Sequence, residues 1–144
     1  LEAHNEYIEY LRTAIAQEEE KLEKLTARHT KIAEEAAKQC GRAKLPSVLS
    51  PVSFTEMLDM TKKASLTLFC YENEDGTTLK SAIQKAGNVK DIAVIIGCEG
   101  GFSPDEANAA SSAGAISVSL GNRILRCETA PAYVLSALSY VFEL

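Results

Sequence analysis

Three apolar runs decide the fold: Leu66-Thr67-Leu68-Phe69-Cys70-Tyr71, Ile92-Ala93-Val94-Ile95-Ile96 and Ile116-Ser117-Val118-Ser119-Leu120. They start about 25 residues apart, and helical sequence follows each of them, over about 78–86, 104–113 and from about 130 to the C-terminus. Parallel strands need crossover connections, and the crossover helices cover both faces of the sheet. We therefore predict an α/β fold with a mainly parallel sheet and helices on both of its faces.

The first 38 residues have the pattern of a helix. Apolar residues recur there every three or four positions, at Ile8, Leu11, Ile15, Leu22, Leu25 and Ile32. Glu18 and His29 interrupt this spacing. We interpret the segment as an amphipathic helix or a helical hairpin, packed on the domain or on a partner copy, rather than as a free coiled coil. No linker divides residues 1–144, so we expect one domain with its βα core at 64–144.

The segment between this helix and the core is bounded by proline. Gly41 is the expected residue beyond the end of the helix, where a left-handed backbone is common. Residues 45–51 hold Pro46 and Pro51, which exclude a helix, and we predict a short strand there. Ser53 and Glu56 have the capping-box spacing that starts a short helix.

Composition limits the classes of function. The chain has 144 residues, is 46% hydrophobic and carries a net charge of −5, so it can bury a core but attracts a phosphate backbone weakly. Any binding of nucleic acid must be local or supplied by another part. Its four cysteines are widely spaced, which fits neither a zinc site nor a disulfide scaffold and indicates reduced, cytosolic thiols. No apolar run reaches the length of a membrane span, and no signal-like segment opens the chain.

A glycine-rich loop follows the second apolar run. Ser103-Pro104-Asp105-Glu106 has every feature of a capped helix start. Capping does not explain Gly97-Cys98-Glu99-Gly100-Gly101 just before it, because glycines allow positive φ and close approach of a ligand at a cost in entropy. The run lacks the spacing of a phosphate loop. Glu99 between glycines instead suits a ligand that is cationic or donates hydrogen bonds.

A second loop, after the third run, has the opposite charge. Arg123 and Arg126 flank Ile124-Leu125, two apolar residues that a solvated loop does not need. Ligands of open α/β sheets bind at the carboxyl ends of the strands, so both loops are expected to line one pocket. Backbone donors, an apolar wall, a carboxylate and two guanidiniums fit a nucleoside-like cofactor beside a polar, planar substrate.

These loops carry a family resemblance. Ile-Gly-Cys-Glu-Gly-Gly-Phe-Ser at 96–103 and Ser-Leu-Gly-Asn-Arg-Ile-Leu-Arg-Cys-Glu-Thr-Ala at 119–130 closely resemble the two signature motifs of the RsmE family, the ribosomal small-subunit RNA uridine-N3 methyltransferases. Residues 32–42, through Leu45-Pro46, resemble an earlier motif of that family. The match runs from about residue 28 to the end. Cys98 departs from it, since the family usually has proline there.

The resemblance implies a SPOUT-type domain, whose C-terminal segment is threaded through a trefoil knot, with S-adenosylmethionine as cofactor and no metal. It implies methyl transfer to N3 of a uridine in small-subunit (16S) ribosomal RNA, in a cytoplasmic homodimer with no membrane partner. The family's N-terminal PUA-like RNA-binding barrel has no counterpart in this sequence. We therefore expect the methyltransferase domain alone, which would methylate RNA poorly by itself.

Carried over by position, the cofactor contacts, made largely through backbone groups, fall on ten residues: Gly97, Glu99, Gly101, Leu120, Gly121, Ile124, Leu125, Arg126, Thr129 and Ala130. Arg126 becomes the candidate for stabilising charge on the uracil carbonyl oxygens as N3 loses its proton. Glu99 becomes the candidate for positioning or proton transfer, with a purely structural role as an acceptor of loop N–H groups kept open. Arg42 and Arg123 are assigned to the substrate, and either could exchange roles with Arg126.

Two other classes of protein stay open at this point. A flavodoxin-like binding or regulatory domain shares the βα period but gives no reason for the arginines of the second loop. A knotted cofactor-binding or dimerisation module without activity explains everything except Glu99 and the intact second loop.

Overall fold

The computed structural model describes residues 2–143, with side chains from residue 5 onward. The chain divides into two compact units, Leu1–Ser53 and Phe54–Leu144. In the first unit, helix α1 runs without a break from Glu2 to Gln39, which excludes the helical hairpin. Gly41 follows it with a φ of +70°, the left-handed backbone expected beyond a helix end.

The predicted short strand at 45–51 is wrong. Residues 45–53 form neither strand nor helix. The two prolines lack a backbone N–H and so cannot donate a hydrogen bond to a neighbouring strand. Apolar residues alone do not stabilise an extended segment as a strand when no other strand pairs with it. The predicted helix after Ser53 is confirmed as α2, Phe54–Thr61.

The second unit contains a sheet of three parallel strands. These are β1 (Leu66–Cys70), β2 (Ile92–Ile96) and β3 (Ile116–Val118), in the order β2-β1-β3. Leu68 of the central strand pairs with Val94 on one side and Ile116 on the other. The predicted parallel sheet is confirmed, although β3 ends two residues early, because Ser119 leaves the sheet to pair with Thr78.

Helices cover both faces of this sheet, as the sequence predicts. They are α3 (Leu79–Ala86), α4 (Pro104–Ser112) and α5 (Thr129–Phe142), in addition to α2. Leu68, whose side chain is fully buried, packs in a cluster with residues of α3 and α5. Its neighbour Phe69 points the other way and packs with residues of α2 and α4. Alternation along a buried strand thus builds two cores.

The three strands end at one edge of the sheet because they are parallel. The segments that leave this edge are 71–78, 97–103 and 119–128, and they form the candidate site. Within residues 2–143, no helix is both long enough and apolar enough to cross a bilayer. Among the side chains that the structure describes, residues 5–143, no group of three His, Cys, Asp or Glu could hold a metal ion.

Candidate active site

The first loop, 97–103, is held by its own contacts. The Gly101 N–H donates to the Cys98 carbonyl over 2.9 Å, closing a turn. At the end of the loop, the Ser103 side chain accepts from the Glu106 N–H at 3.2 Å, and Glu106 Oε2 accepts from the Ser103 N–H at 2.8 Å. The capping box predicted for Ser103 and Glu106 is therefore confirmed, with Pro104 in the first turn of α4.

Contacts within the protein explain two glycines of this loop, which the sequence alone suggested were needed for the close approach of a ligand. A Cβ at Gly97 would lie 3.1 Å from the Phe102 ring. That ring stacks within 4.3 Å of the ring of buried Phe69, measured between centroids. Gly101 has a φ of +66°, and a Cβ there would lie 2.7 Å from Glu72 Oε1. The glycines thus let the loop fold onto Phe102 and Glu72.

The second loop, 119–128, is anchored at its ends and open between them. Ser119 exchanges backbone hydrogen bonds with Thr77 and Leu79, at 2.8 and 3.0 Å. At the other end, the Arg126 carbonyl accepts from the N–H groups of Thr129 and Ala130, which begins α5. Between these anchors, Gly121 adopts a φ of +114°.

The side chains in the middle of the second loop have few contacts. Ile124 is 81% exposed, although it is a large apolar residue. Arg123 and Arg126 are both exposed, and neither guanidinium has an ion-pair partner among the side chains of residues 5–143. Apolar surface and unpaired guanidiniums at one place are typical of a ligand site rather than of a structural loop.

The two loops line one cavity of about 480 Å³. This volume lies within the usual range for small-molecule sites. Most of the residues assigned to the site by sequence line it: Gly97, Glu99, Gly101, Leu120, Gly121, Arg123, Ile124, Leu125, Arg126 and Ala130. Thr129 does not, because the first turn of α5 directs it to a separate shallow depression beside Tyr133 and Tyr140. Arg42 belongs to the first unit, and its role stays a prediction.

A hydrogen bond joins the two loops across the cavity. Cys127 Sγ donates to Glu99 Oε1 at 3.3 Å and also lies 3.4 Å from Glu128 Oε2. The bond to Glu99, with the two nearby carboxylates, raises the pKa of Cys127 to about 11. The pKa of Glu99 is lowered, first by its own backbone N–H and then by the Cys127 thiol. At neutral pH the site therefore contains an ionised Glu99 and a protonated thiol.

Glu72, Phe102, Cys127 and Glu128 also line the cavity, although the sequence motifs did not assign them to the site. Glu72 is the most informative of these, because it brings a second carboxylate to the glycine loop. The signal was available: Glu72 stands two residues beyond β1, and β1 ends at the same sheet edge as the other two strands. Phe102 was quoted as part of a motif, but its packing under Gly97 follows only from the tertiary structure.

The chain is similar to known RNA methyltransferases both in a family model and in individual sequences. Residues 8–139 match the model of a family described as an RNA methyltransferase domain. Ribosomal RNA small subunit methyltransferase E of Bacillus subtilis is 31% identical over 137 residues, covering 92% of this chain and 54% of that protein. The protein of the same name from Synechocystis is 32% identical over 133 residues, covering 92% of this chain and 43% of that protein.

A solved structure extends this similarity to the fold. The crystal structure of a ribosomal RNA small subunit methyltransferase E from Neisseria gonorrhoeae, bound to S-adenosyl methionine, superposes with a TM-score of 0.75 at 30% identity. The match covers 84% of this chain and 49% of that one. The chain therefore spans about half the length of the relatives it matches.

Proposed function

The chain belongs to the RNA methyltransferase domain family, and we propose that it binds S-adenosylmethionine between the loops 97–103 and 119–128. We propose further that it directs the cofactor's methyl group to N3 of a uridine in small-subunit (16S) ribosomal RNA. The observation that carries the proposal is the single cavity lined by both motif loops. The family's activity at ribosomal RNA makes the cytoplasm the expected location.

The residues around the cavity fit this cofactor. Leu120, Ile124 and Leu125 supply apolar surface for a base, and the loop backbones supply hydrogen-bonding groups. Ionised Glu99 offers a carboxylate to a ligand that is cationic and donates hydrogen bonds. When bound, S-adenosylmethionine supplies an electrophilic methyl group on a sulfonium. The protein's task is to place a deprotonated uracil N3 in line with it.

The charged residues divide this task. Removal of the N3 proton leaves negative charge on the uracil ring and its carbonyl oxygens, and the exposed Arg126 guanidinium is available to stabilise it. Arg123, on the same wall, is assigned to binding the substrate phosphate or base. Glu99 has a lowered pKa, which makes it a weak base at neutral pH, so we assign it to positioning rather than to proton removal.

The proposal includes the trefoil knot and the homodimer of the SPOUT class. The chain between β1 and α3 runs beside the end of β3, since Thr78 pairs with Ser119. The chain that leaves Ser119 for α5 therefore starts beside the segment between β1 and α3, a neighbour that a threaded C-terminal segment requires. For the dimer, the support is α5, whose 14 residues include no charged side chain. Tyr133 and Tyr140 are 48% and 75% exposed on it, as expected of a face covered by a second copy.

Calorimetric titration with S-adenosylmethionine tests cofactor binding. Saturable binding at one site is expected, with affinity lost in Leu125→Asp, which places a charge in the apolar wall. Flavin mononucleotide is the control ligand, because a flavodoxin-like domain would bind flavin instead. Binding of flavin without S-adenosylmethionine would overturn the proposal.

Methyl transfer is tested with small-subunit ribosomal RNA and mass spectrometry of the nucleosides. Arg126→Ala is expected to lower the rate of N3-methyluridine formation by about 100-fold while cofactor affinity changes little, since the guanidinium acts on developing charge. Arg126→Lys should recover part of the rate. Full activity in Arg126→Ala would remove that residue from the mechanism. Since the domain alone is expected to methylate RNA poorly, the rate of the unaltered chain is the reference, and a complete absence of transfer with the cofactor bound would favour the inactive module.

A further inference from the structure

Helix α1 carries an apolar stripe that its own unit leaves exposed. Ile15 and Ile32 are 59% and 52% exposed, and Leu22 and Leu25 between them are 41% and 42% exposed. The helix is 38 residues long, or about 57 Å at 1.5 Å per residue. A stripe of this length on a helix surface is stabilised when another helix covers it.

The stripe has the spacing of a coiled-coil seam. Alternate steps of three and four residues pass through positions 8, 11, 15, 18, 22, 25, 29, 32 and 36 of α1. Seven of these nine positions are apolar, and the other two hold Glu18 and His29. A polar residue within such a seam commonly fixes the register and orientation of the helices that pair. Glu18 and His29 therefore restrict the register and orientation in which another helix can pair with α1.

We propose that α1 pairs with α1 of a second copy in an antiparallel coiled coil, in which Glu18 faces the partner's His29. In an antiparallel pair, the numbers of facing residues add to a constant, and a constant of 47 brings these two together. The same constant pairs Leu22 with the partner's Leu25. It also pairs Ile15 with the partner's Ile32, and Leu11 with the partner's Ala36. Glu18 and His29 thus face each other in both copies, and the other layers between residues 11 and 36 are apolar, while Ile8 lies opposite the partner's Gln39.

Other arrangements leave the polar residues unmatched. A parallel pair in register places Glu18 against the same residue of the partner, so that like charges meet. Shifting the antiparallel pair by one heptad places Glu18 opposite the partner's Leu22, which buries a carboxylate without a partner. In the proposed register, Lys21 and the partner's Arg28 flank the Glu18 layer. Glu18 already binds Lys21 at 2.6 Å on its own helix, but this exposed pair contributes little and can be shared.

Site-directed disulfide formation in the full chain tests the orientation. The background carries Cys40→Ser and Cys98→Ser, which removes the two exposed cysteines. Leu11→Cys and Ala36→Cys are introduced in separate chains. In the proposed pair, each new thiol lies about 38 Å from its own counterpart but faces the other kind, and a disulfide needs Cα atoms within about 7 Å. Mild oxidation should therefore link the two variants to each other and neither to itself.

The charge layer is tested in the same mixture. His29→Glu in both chains should lower the yield of cross-linked heterodimer severalfold, and adding Glu18→His should restore it by exchanging the two partners. Circular dichroism of each variant checks that α1 remains helical. Self-linking of Leu11→Cys would indicate a parallel pair, and an absence of any link at these sites would indicate another occupant. Either result overturns the proposal, as does a double exchange that fails to restore the yield.

Discussion

The two loops of the cavity have opposite constructions. The loop 97–103 is fixed by a turn, a capping box and an aromatic ring beneath Gly97, so its shape is complete without a ligand. The loop 119–128 is anchored at its two ends, while Ile124 and the guanidiniums between them have almost no protein partners. The loop 97–103 is therefore a preorganised wall of the cavity, whereas the loop 119–128 has side chains that are free to contact a ligand. Such a division lowers the ordering cost of binding on one side only.

The largest expected effect comes from removing the ring beneath the first loop. Phe102→Ala deletes contacts with Phe54 and Phe69 and should lower the free energy of unfolding by about 3 kcal/mol. Ile124→Ala is the matched change in the second loop and should stay within about 0.5 kcal/mol, because its side chain is exposed. Urea unfolding measures both. Equal losses in the two variants would contradict the comparison.

A smaller effect is expected from a methyl group at Gly101. Its φ of +66° is costly for any other residue, so Gly101→Ala should lose about 1–2 kcal/mol of stability and weaken cofactor binding. Gly100→Ala is the control, since Gly100 has no positive φ and only the Cys98 sulfur lies near, at 4.0 Å. Thermal unfolding and calorimetry measure the two quantities. The idea fails if Gly100→Ala is the more damaging change.

Removing the capping box at Ser103 is expected to lower the free energy of unfolding by about 1 kcal/mol. Ser103→Ala removes the side-chain acceptor of the Glu106 N–H and should lower unfolding free energy by about that amount. Ser119→Ala is the control in the second loop, where the hydroxyl makes only long contacts, accepting from the Gly121 N–H and donating to the Gly121 carbonyl, each at 3.3 Å. Its cost should be a few tenths of a kcal/mol by the usual range of surface substitutions. Urea midpoints that shift alike would argue against a preorganised first loop.

The smallest effect concerns the hydrogen bond between the loops. The pKa of Cys127 is raised to about 11, so alkylation of this thiol by iodoacetamide should accelerate only as pH approaches that value. Because the pKa of Cys127 in the folded protein lies above its ordinary value of 9.0, the hydrogen bond from this thiol stabilises the fold fully below pH 9.0, and that stabilisation is lost as pH rises toward 11. Glu99→Gln should lower the pKa of Cys127 and advance its alkylation. Peptide mass spectrometry follows the reaction, with exposed Cys40 as the internal reference.

Local sequence predicted those parts of the site that depend on neighbouring residues. The capping box at Ser103 and Glu106, the ends of α3 and α4, and the order of strands and helices along the chain all follow from spacing and residue type. Convergence of the two loops followed from one further rule, that parallel strands end at a common edge. The strand predicted at 45–51 failed because strand formation needs a neighbouring strand, which no local pattern supplies.

The rest was decided by residues distant in sequence. Only the packed fold brings Phe102 onto Phe69, Glu72 beside Gly101 and Cys127 against Glu99. These contacts show that Gly97 and Gly101 are required by packing within the protein and not only by a ligand. They also keep Glu99 ionised and the Cys127 thiol protonated at neutral pH. The helices and strands, their caps and the edge where the loops meet were predictable from the sequence, because each depends on local backbone preference and apolar period. Which side chains share the cavity was not predictable, because contact between the loops depends on how the two cores pack against the sheet.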